Sequence, residues 1–183
     1  MISNMRLREL YKKEIAPKLV AEFGYKSVLA VPKLLKISIN VGVGKMTKDK
    51  QFIESVVKDL ETISGQKPVL TKAKKSISAF KVRQGEVVGV AVTLRGEKMY
   101  DFVEKLVNIT FPRVRDFRGL TPTSVDKTGN LSVGFKDHTA FAEIKLEQVE
   151  KVHGLEVSLS TNAQTSEEGL ALWRALGFPF KKD

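Results

Sequence analysis

The sequence predicts an α+β fold: an antiparallel (mixed) sheet with helices packed on one face and a long basic loop. Three observations lead there. Segments with apolar residues at three- and four-residue steps interleave with segments that alternate apolar and polar side chains. The alternating segments keep one polar face, as a sheet covered on one side requires. No internal repeat, low-complexity tract or Pro/Gly-rich linker divides the 183 residues, a length that fits one domain. The expected organisation is a single domain, 1–183, with a protruding basic loop at about 71–85.

Residues 6–23 carry Leu7, Leu10, Tyr11, Ile15, Leu19 and Phe23 at helical spacing, with Gly24 placed to end the helix and Pro17 placed to kink or divide it. In "KLLKISINVGVG", Ile37, Ile39 and Val41 alternate with Lys36, Ser38 and Asn40, which predicts a half-buried strand. A second amphipathic helix is expected over 48–64, from Phe52, Ile53, Val56, Val57, Leu60 and Ile63, stopped by Gly65. "KPVLT" reads as a short strand. "EVVGVAVTLRG" reads as a longer one, with Val88, Val90, Val92 and Leu94 on one face and Val87, Gly89, Ala91 and Thr93 on the other. Residues 97–109 return to helical spacing. "NLSVGF" and "LEVSLST" are strands, and "FAEIKLEQVEKVHG" is expected to hold a short helical turn. "TSEEGLALWRALG" is a helix opened by Thr165, with Glu168 at capping-box spacing, and closed by Gly177.

Composition narrows function. Apolar residues make up 42% and charged ones 28%, enough to bury a core. No run of about 18 apolar residues offers a membrane span. The first residues, "MISNMRLREL", have no apolar core of a secretory signal, so a cytoplasmic location is expected. Zero cysteines exclude disulfides and thiol catalysis. The formal charge is +10, and it is uneven: residues 1–119 hold 24 basic and 12 acidic side chains, against 7 and 9 in residues 120–183. A polyanion is the partner such polarity implies for the first two thirds.

Catalytic chemistry does not emerge. "NVGVGKMTK" follows a strand and precedes a helix, yet Gly42 and Gly44 stand two apart and Met46 takes the hydroxyl position, so it fails as a phosphate loop. A glycine-permitted turn is the expected reading. His138 and His153 each lack a partner at metal-ligand spacing, so no metal and no cofactor are expected, and either is read as a surface or satisfied polar residue. Asp137, Glu143 and Glu147 offer no catalytic pairing, and Asp116 in "RVRDFRG" reads as an ion-pair partner for its arginines.

Three surfaces suit RNA instead. Lys36, Ser38 and Asn40, with Gly89, Ala91 and Thr93, combine one cation, short hydrogen-bonding groups and little bulk, so a sugar-phosphate backbone can approach closely. The same face also reads as a solvated side of a sheet. "TKAKKSISAFKVRQG" places Lys72, Lys74, Lys75, Lys81 and Arg83 among fifteen residues with no acid, a source of counterion release on phosphate binding. Ile77 and Phe80 within it either anchor the loop or touch nucleotides, and anchoring is the reading adopted for Phe80. "FPRVRDFRGL" gathers Arg113, Arg115 and Arg118 around Phe117, with Pro112 and Gly119 setting the run in a loop. From the residues alone, an RNA- or nucleotide-processing enzyme using the glycine turn, or a non-specific RNA chaperone, remains an alternative.

The ordered set "NVGVG", "SGQKP", "TKAKKSISAFKVRQG", "VTLRG", "PRVRDFRGL" and "GFPF" resembles the bacterial large-subunit ribosomal protein five family, over nearly the whole chain. That resemblance implies a non-enzymatic constituent of the cytoplasmic ribosome that binds 5S rRNA and helps attach it to the large subunit. It implies 5S rRNA contact at Lys36, Asn40, Gln66 and Thr93, and P-site tRNA contact by a loop carrying Lys72, Lys74, Lys75, Ser76, Ser78, Lys81 and Arg83. It further implies 23S rRNA, with Arg113, Arg115 and Arg118 as additional rRNA contacts. Neighbouring 5S-associated ribosomal proteins and a small-subunit head protein across an intersubunit bridge complete the implied partners. Where relatives read "SFDGRGNY" and "FPEI", this chain has "SVDKTGNL" and "FAEI", both in the less basic last third.

Overall fold

The computed structural model describes residues 6–46, 49–145, 147, 149 and 151–181. Five strands form one open antiparallel sheet: β1 (Leu34–Gly42), β2 (Val69–Lys72), β3 (Val87–Leu94), β4 (Leu131–Phe135) and β5 (Leu155–Thr161), in the order β2-β3-β1-β5-β4. By compactness the chain divides into two units. One is built from residues up to Ile37, Leu94–Val133 and Ser158 onward; the other from Ser38–Thr93 and Gly134–Val157.

Alternation decides which side of each strand is dry. Ile37, Ile39 and Val41 are buried while Asn40 is exposed and Lys36 and Ser38 are half-buried. Val90, Val92 and Leu94 are buried on β3, and Leu131, Val133 and Phe135 on β4, with Ser132 and Gly134 exposed between them. The sheet is therefore packed on one face and open on the other, the predicted α+β arrangement.

In the first unit, the first helix runs from Leu7 to Phe23, but not uniformly. An α-helical turn Leu7–Leu10 passes into a π-helical segment Tyr11–Ile15 before α-helix resumes at Ala16–Phe23. Pro17 explains the interruption: it has no N–H to give the preceding turn, and the wider π-turn accommodates that loss. Pro112 does the same in the third helix, where Glu97–Lys105 passes through the π-helical Leu106–Thr110 into Phe111–Arg113. The helix thus carries on beyond the expected end at 109, and Arg113 lies in its last turn rather than in the loop predicted for the whole arginine run.

The last helix, Ser166–Ala175, begins with the capping box read from the sequence. Glu168 N–H donates to Thr165 Oγ1 at 3.3 Å, and Glu168 Oε2 accepts from the N–H groups of Thr165 (3.3 Å) and Gln164 (2.8 Å). Thr165→Ala is expected to cost about 1 kcal/mol in denaturant unfolding; an unchanged midpoint would show that Glu168 alone holds the cap. Trp173, fully buried, donates from Nε1 to the Gly129 carbonyl at 2.9 Å. Gly129 belongs to "SVDKTGNL", whose side chains are engaged in the fold. Val125 bridges to Leu131, both buried, and the Thr128 hydroxyl donates to Asp126 Oδ1 at 2.9 Å. Burial alone would raise the Asp126 carboxyl, but hydrogen bonds from Asn130 and Thr128 outweigh it and hold the group below its ordinary range.

In the second unit, the second helix spans Lys50–Ser64, with Asp49 accepting from Phe52 N–H at 3.0 Å and Gly65 closing it at φ +62°. Phe52, Ile53, Val56, Leu60 and Ile63 form its buried stripe. Thr47 and Lys48, in the expected glycine turn and helix start, lie outside the described residues. Gly42 and Gly44 are not in the left-handed region, and open space surrounds the Cβ position of each. The turn is a 3-10 turn, Gly44–Met46, that does not require glycine, contrary to expectation. The described residues of 141–154 hold no α-helix; a turn at 142–143 stands where a helical turn was expected, and residues 146, 148 and 150 lie outside the description. Among the described residues, no helix is long and apolar enough to cross a membrane.

Candidate nucleic-acid interface

The open side of β1 and β3 is built by small residues as much as by polar ones. Gly89 is buried on this side because Thr71 and Asn40 lean over it: a Cβ there would meet Thr71 Oγ1 at 2.7 Å and the Val41 carbonyl at 3.1 Å, with Asn40 Oδ1 at 3.5 Å. Asn40 and Thr93 remain exposed at the surface beside this close approach. Gln66, just past the second helix, donates from its side-chain amide to the Thr93 carbonyl at 3.2 Å. Three predicted contact residues, Asn40, Gln66 and Thr93, thus lie in one compact unit. Lys36 precedes Asn40 by four residues and shares its side of β1 by the two-residue alternation.

The basic excursion between β2 and β3 is a hairpin. Its base is closed by Ala73 N–H to the Glu86 carbonyl (2.9 Å) and Gly85 N–H to the Ala73 carbonyl (3.0 Å). Farther out, Ile77 and Val82 exchange backbone bonds at 2.9 and 3.2 Å. The tip is a 3-10 turn, Ser78–Phe80, that ends on Lys81 in the left-handed conformation at φ +54°. Side chains secure the return limb: Gln84 N–H donates to Ser76 Oγ (2.9 Å) and Arg83 N–H to Glu86 Oε2 (2.9 Å). Lys72, Lys74, Lys75, Ser76, Ser78, Lys81 and Arg83 are all exposed.

Anchoring by Phe80 is overturned. Its side chain is 75% exposed and Ile77 is 48% exposed, so neither pins the hairpin to its base. The backbone ladder and the Ser76 and Glu86 side chains hold it instead, leaving the aromatic ring at the tip. Val69 on edge strand β2 is 67% exposed as well.

The arginine loop also differs from expectation. Among the described residues no ion pair joins Asp116 to Arg113, Arg115 or Arg118; Asp116 instead sits at φ +53° and makes the turn. Phe117 is taken by Phe111, the rings stacked 5.0 Å apart at 15°, rather than by a guanidinium. All three arginines project from the end of the third helix and the following loop, Arg113 and Arg115 at its start and Arg118 beyond the turn.

One constellation was missed. The second helix and the β4–β5 connection bring Asp59, His138 and His153 together, although the sequence separates them by up to 94 residues. Their ligand-type atoms lie within 4.8 Å of one another, and both rings are buried. No spacing rule could have found this group, because its members come from different elements.

The family model described as "Ribosomal protein L5" matches residues 27–83, and the model for the C-terminus of the same ribosomal family matches residues 87–180. The chain belongs to the ribosomal protein L5 family. It is 49% identical over 176 residues to the large ribosomal subunit protein uL5 of Halothermothrix orenii, covering 96% of this chain and 98% of that one. It is 50% identical over 177 residues to the uL5 of Marinomonas sp. (97% and 99% covered) and 48% identical over 179 residues to that of Picosynechococcus sp. (98% and 99%). As a member of this family it is a structural, non-enzymatic constituent of the large ribosomal subunit, which in bacteria is cytoplasmic.

Proposed function

We propose that this ribosomal protein binds 5S rRNA through the face carrying Lys36, Asn40, Gln66 and Thr93, and that its basic hairpin reaches P-site tRNA. The observation that carries the first part is the pre-arranged close approach at Gly89, flanked by exposed Asn40 and Thr93 with Gln66 already tied to the Thr93 carbonyl. Short polar groups on a rigid strand lose little entropy on binding, and they can bond both phosphate oxygens and 2′-hydroxyls. Arg113, Arg115 and Arg118 supply further rRNA contacts, and 23S rRNA is a partner in the same reading. Through them and the 5S-bound face the protein helps attach 5S rRNA to the subunit, next to the other 5S-associated proteins. Contact with a small-subunit head protein across an intersubunit bridge belongs to the same reading, without residues assigned to it.

Asn40→Ala with Thr93→Ala tests the sheet face. Both side chains are exposed, so the fold is expected to survive. Two lost hydrogen bonds at about 0.5–1.5 kcal/mol each lower 5S rRNA affinity by about fivefold to a hundredfold at constant salt. Wild-type affinity in the folded double variant would remove this face from the interface. Competition between 5S rRNA and bulk tRNA across salt separates specific binding from a general RNA chaperone, which would hold both equally.

A further inference from the structure

We propose that Asp59, His138 and His153 form a proton-operated clamp, which fastens the β4–β5 connection to the second helix at neutral pH and releases it in acid. The two imidazoles are stacked, their centroids 4.0 Å apart and their planes within 2°. Both Nε2 atoms face one carboxylate oxygen: Asp59 Oδ2 is 3.2 Å from that of His153 and 3.7 Å from that of His138.

The remaining ring nitrogens limit where a further proton can go. His138 Nδ1 lies 3.3 Å from both the N–H and the carbonyl of His153; with the N–H donating to it, the neutral ring carries its proton on Nε2, facing Asp59. His153 Nδ1 is buried with no partner, so a proton added there would be a buried donor without an acceptor. A proton added to His138 Nδ1 can pass to the His153 carbonyl, also 3.3 Å away, but only by displacing the His153 N–H. Two charged rings at this separation repel, and the single Asp59 carboxylate offsets one of them.

The other charged groups nearby are paired or minor. Lys151 is held by Asp49 at 2.7 Å, beside the Phe52 ring that meets His153 edge-on, and Asp137 adjoins His138. Burial and the neighbouring His153 lower the His138 pKa, against the opposing pull of Asp59 and Asp137. With a lowered folded value, its contribution to stability is complete above the ordinary value near 6.5. It is lost as pH falls below that value toward the lowered one.

A proton suits this geometry better than a metal. An ion bound to both imidazoles must lie close to each ring plane at about 2.0–2.1 Å from each nitrogen. Rings that are parallel and stacked cannot both point at it.

Amide hydrogen exchange on the full chain between pH 7.5 and 5, corrected for intrinsic rates, tests the clamp. The His138 and Phe141 amides, bonded to the His153 and His138 carbonyls, report its opening. Their opening constants are expected to rise up to about tenfold per pH unit below about 6.5, the limit for one linked proton. His138→Gln is expected to flatten that rise, because the amide does not titrate. Should that variant fail to fold, the wild-type imidazole resonances serve in its place, with His138 expected to titrate below its ordinary value. A pH-independent opening, or a His138 resonance that titrates at its ordinary value, would overturn the proposal. Stoichiometric zinc binding abolished by His138→Gln would also overturn it, by making the cluster a metal site.

Discussion

Gly169→Ala is expected to destabilise the protein by about 1–3 kcal/mol, although it places the best helix former inside a helix. At an unobstructed site that exchange gains up to about 1 kcal/mol. Here the added Cβ would sit 2.3 Å from Gly129 Cα and 2.6 Å from its carbonyl oxygen, closer than real Cβ atoms come. Gly129 cannot step aside. It holds φ +77°, and its carbonyl accepts from Trp173 Nε1 at 2.9 Å and from the Thr161 hydroxyl at 3.3 Å. Moving it would loosen the bond that satisfies a fully buried indole. Chemical denaturation of the variant beside Gly134→Ala supplies the check. Gly134 is exposed with open space at its Cβ position, so its replacement is expected to be neutral or mildly stabilising. A Gly169→Ala protein as stable as that control would disprove the close contact.

Replacing Lys72, Lys74 and Lys75 together by alanine is expected to have the largest effect on RNA contact. All three are exposed on the limb of the hairpin that rises from β2. Each phosphate neutralised by a cation contributes about 0.7–0.9 to the slope of log affinity against log salt. Losing three contacts flattens that slope by about 2–3 and weakens the hairpin's own electrostatic attraction on the order of a hundredfold near 0.1 M salt. The readout is P-site tRNA retention by subunits reconstituted with the variant, followed across salt, beside 5S rRNA binding by the free protein. The first is expected to fall and the second to hold. Loss of 5S binding with tRNA retention intact would mean that the two surfaces have been exchanged.

The hairpin shows where sequence reasoning stopped. Five cations without an acid were legible as an exposed basic excursion, because charge needs no partner in the fold to be noticed. The role of Phe80 was not legible. An aromatic residue between cations reads equally as an anchor or a contact, and only its 75% exposure at the tip separates the two. The arginine run is similar. Its composition pointed outward correctly, yet the spacing could not show that Phe111 occupies Phe117, or that the third helix extends through Pro112 by way of a π-turn.

Patterns that repeat along one element were settled by the amino-acid order alone. The alternation of β1 and β3, the apolar stripe of Lys50–Ser64, the capping box at Thr165 and the uneven charge are all local, and burial or hydration acts on them within a few residues. Gly129 against Gly169, the Thr71 side chain over Gly89, and two histidines sharing Asp59 were decided by the tertiary structure. Each joins positions far apart in the chain, where no period or propensity connects them and only the packed sheet and helices bring their atoms into range.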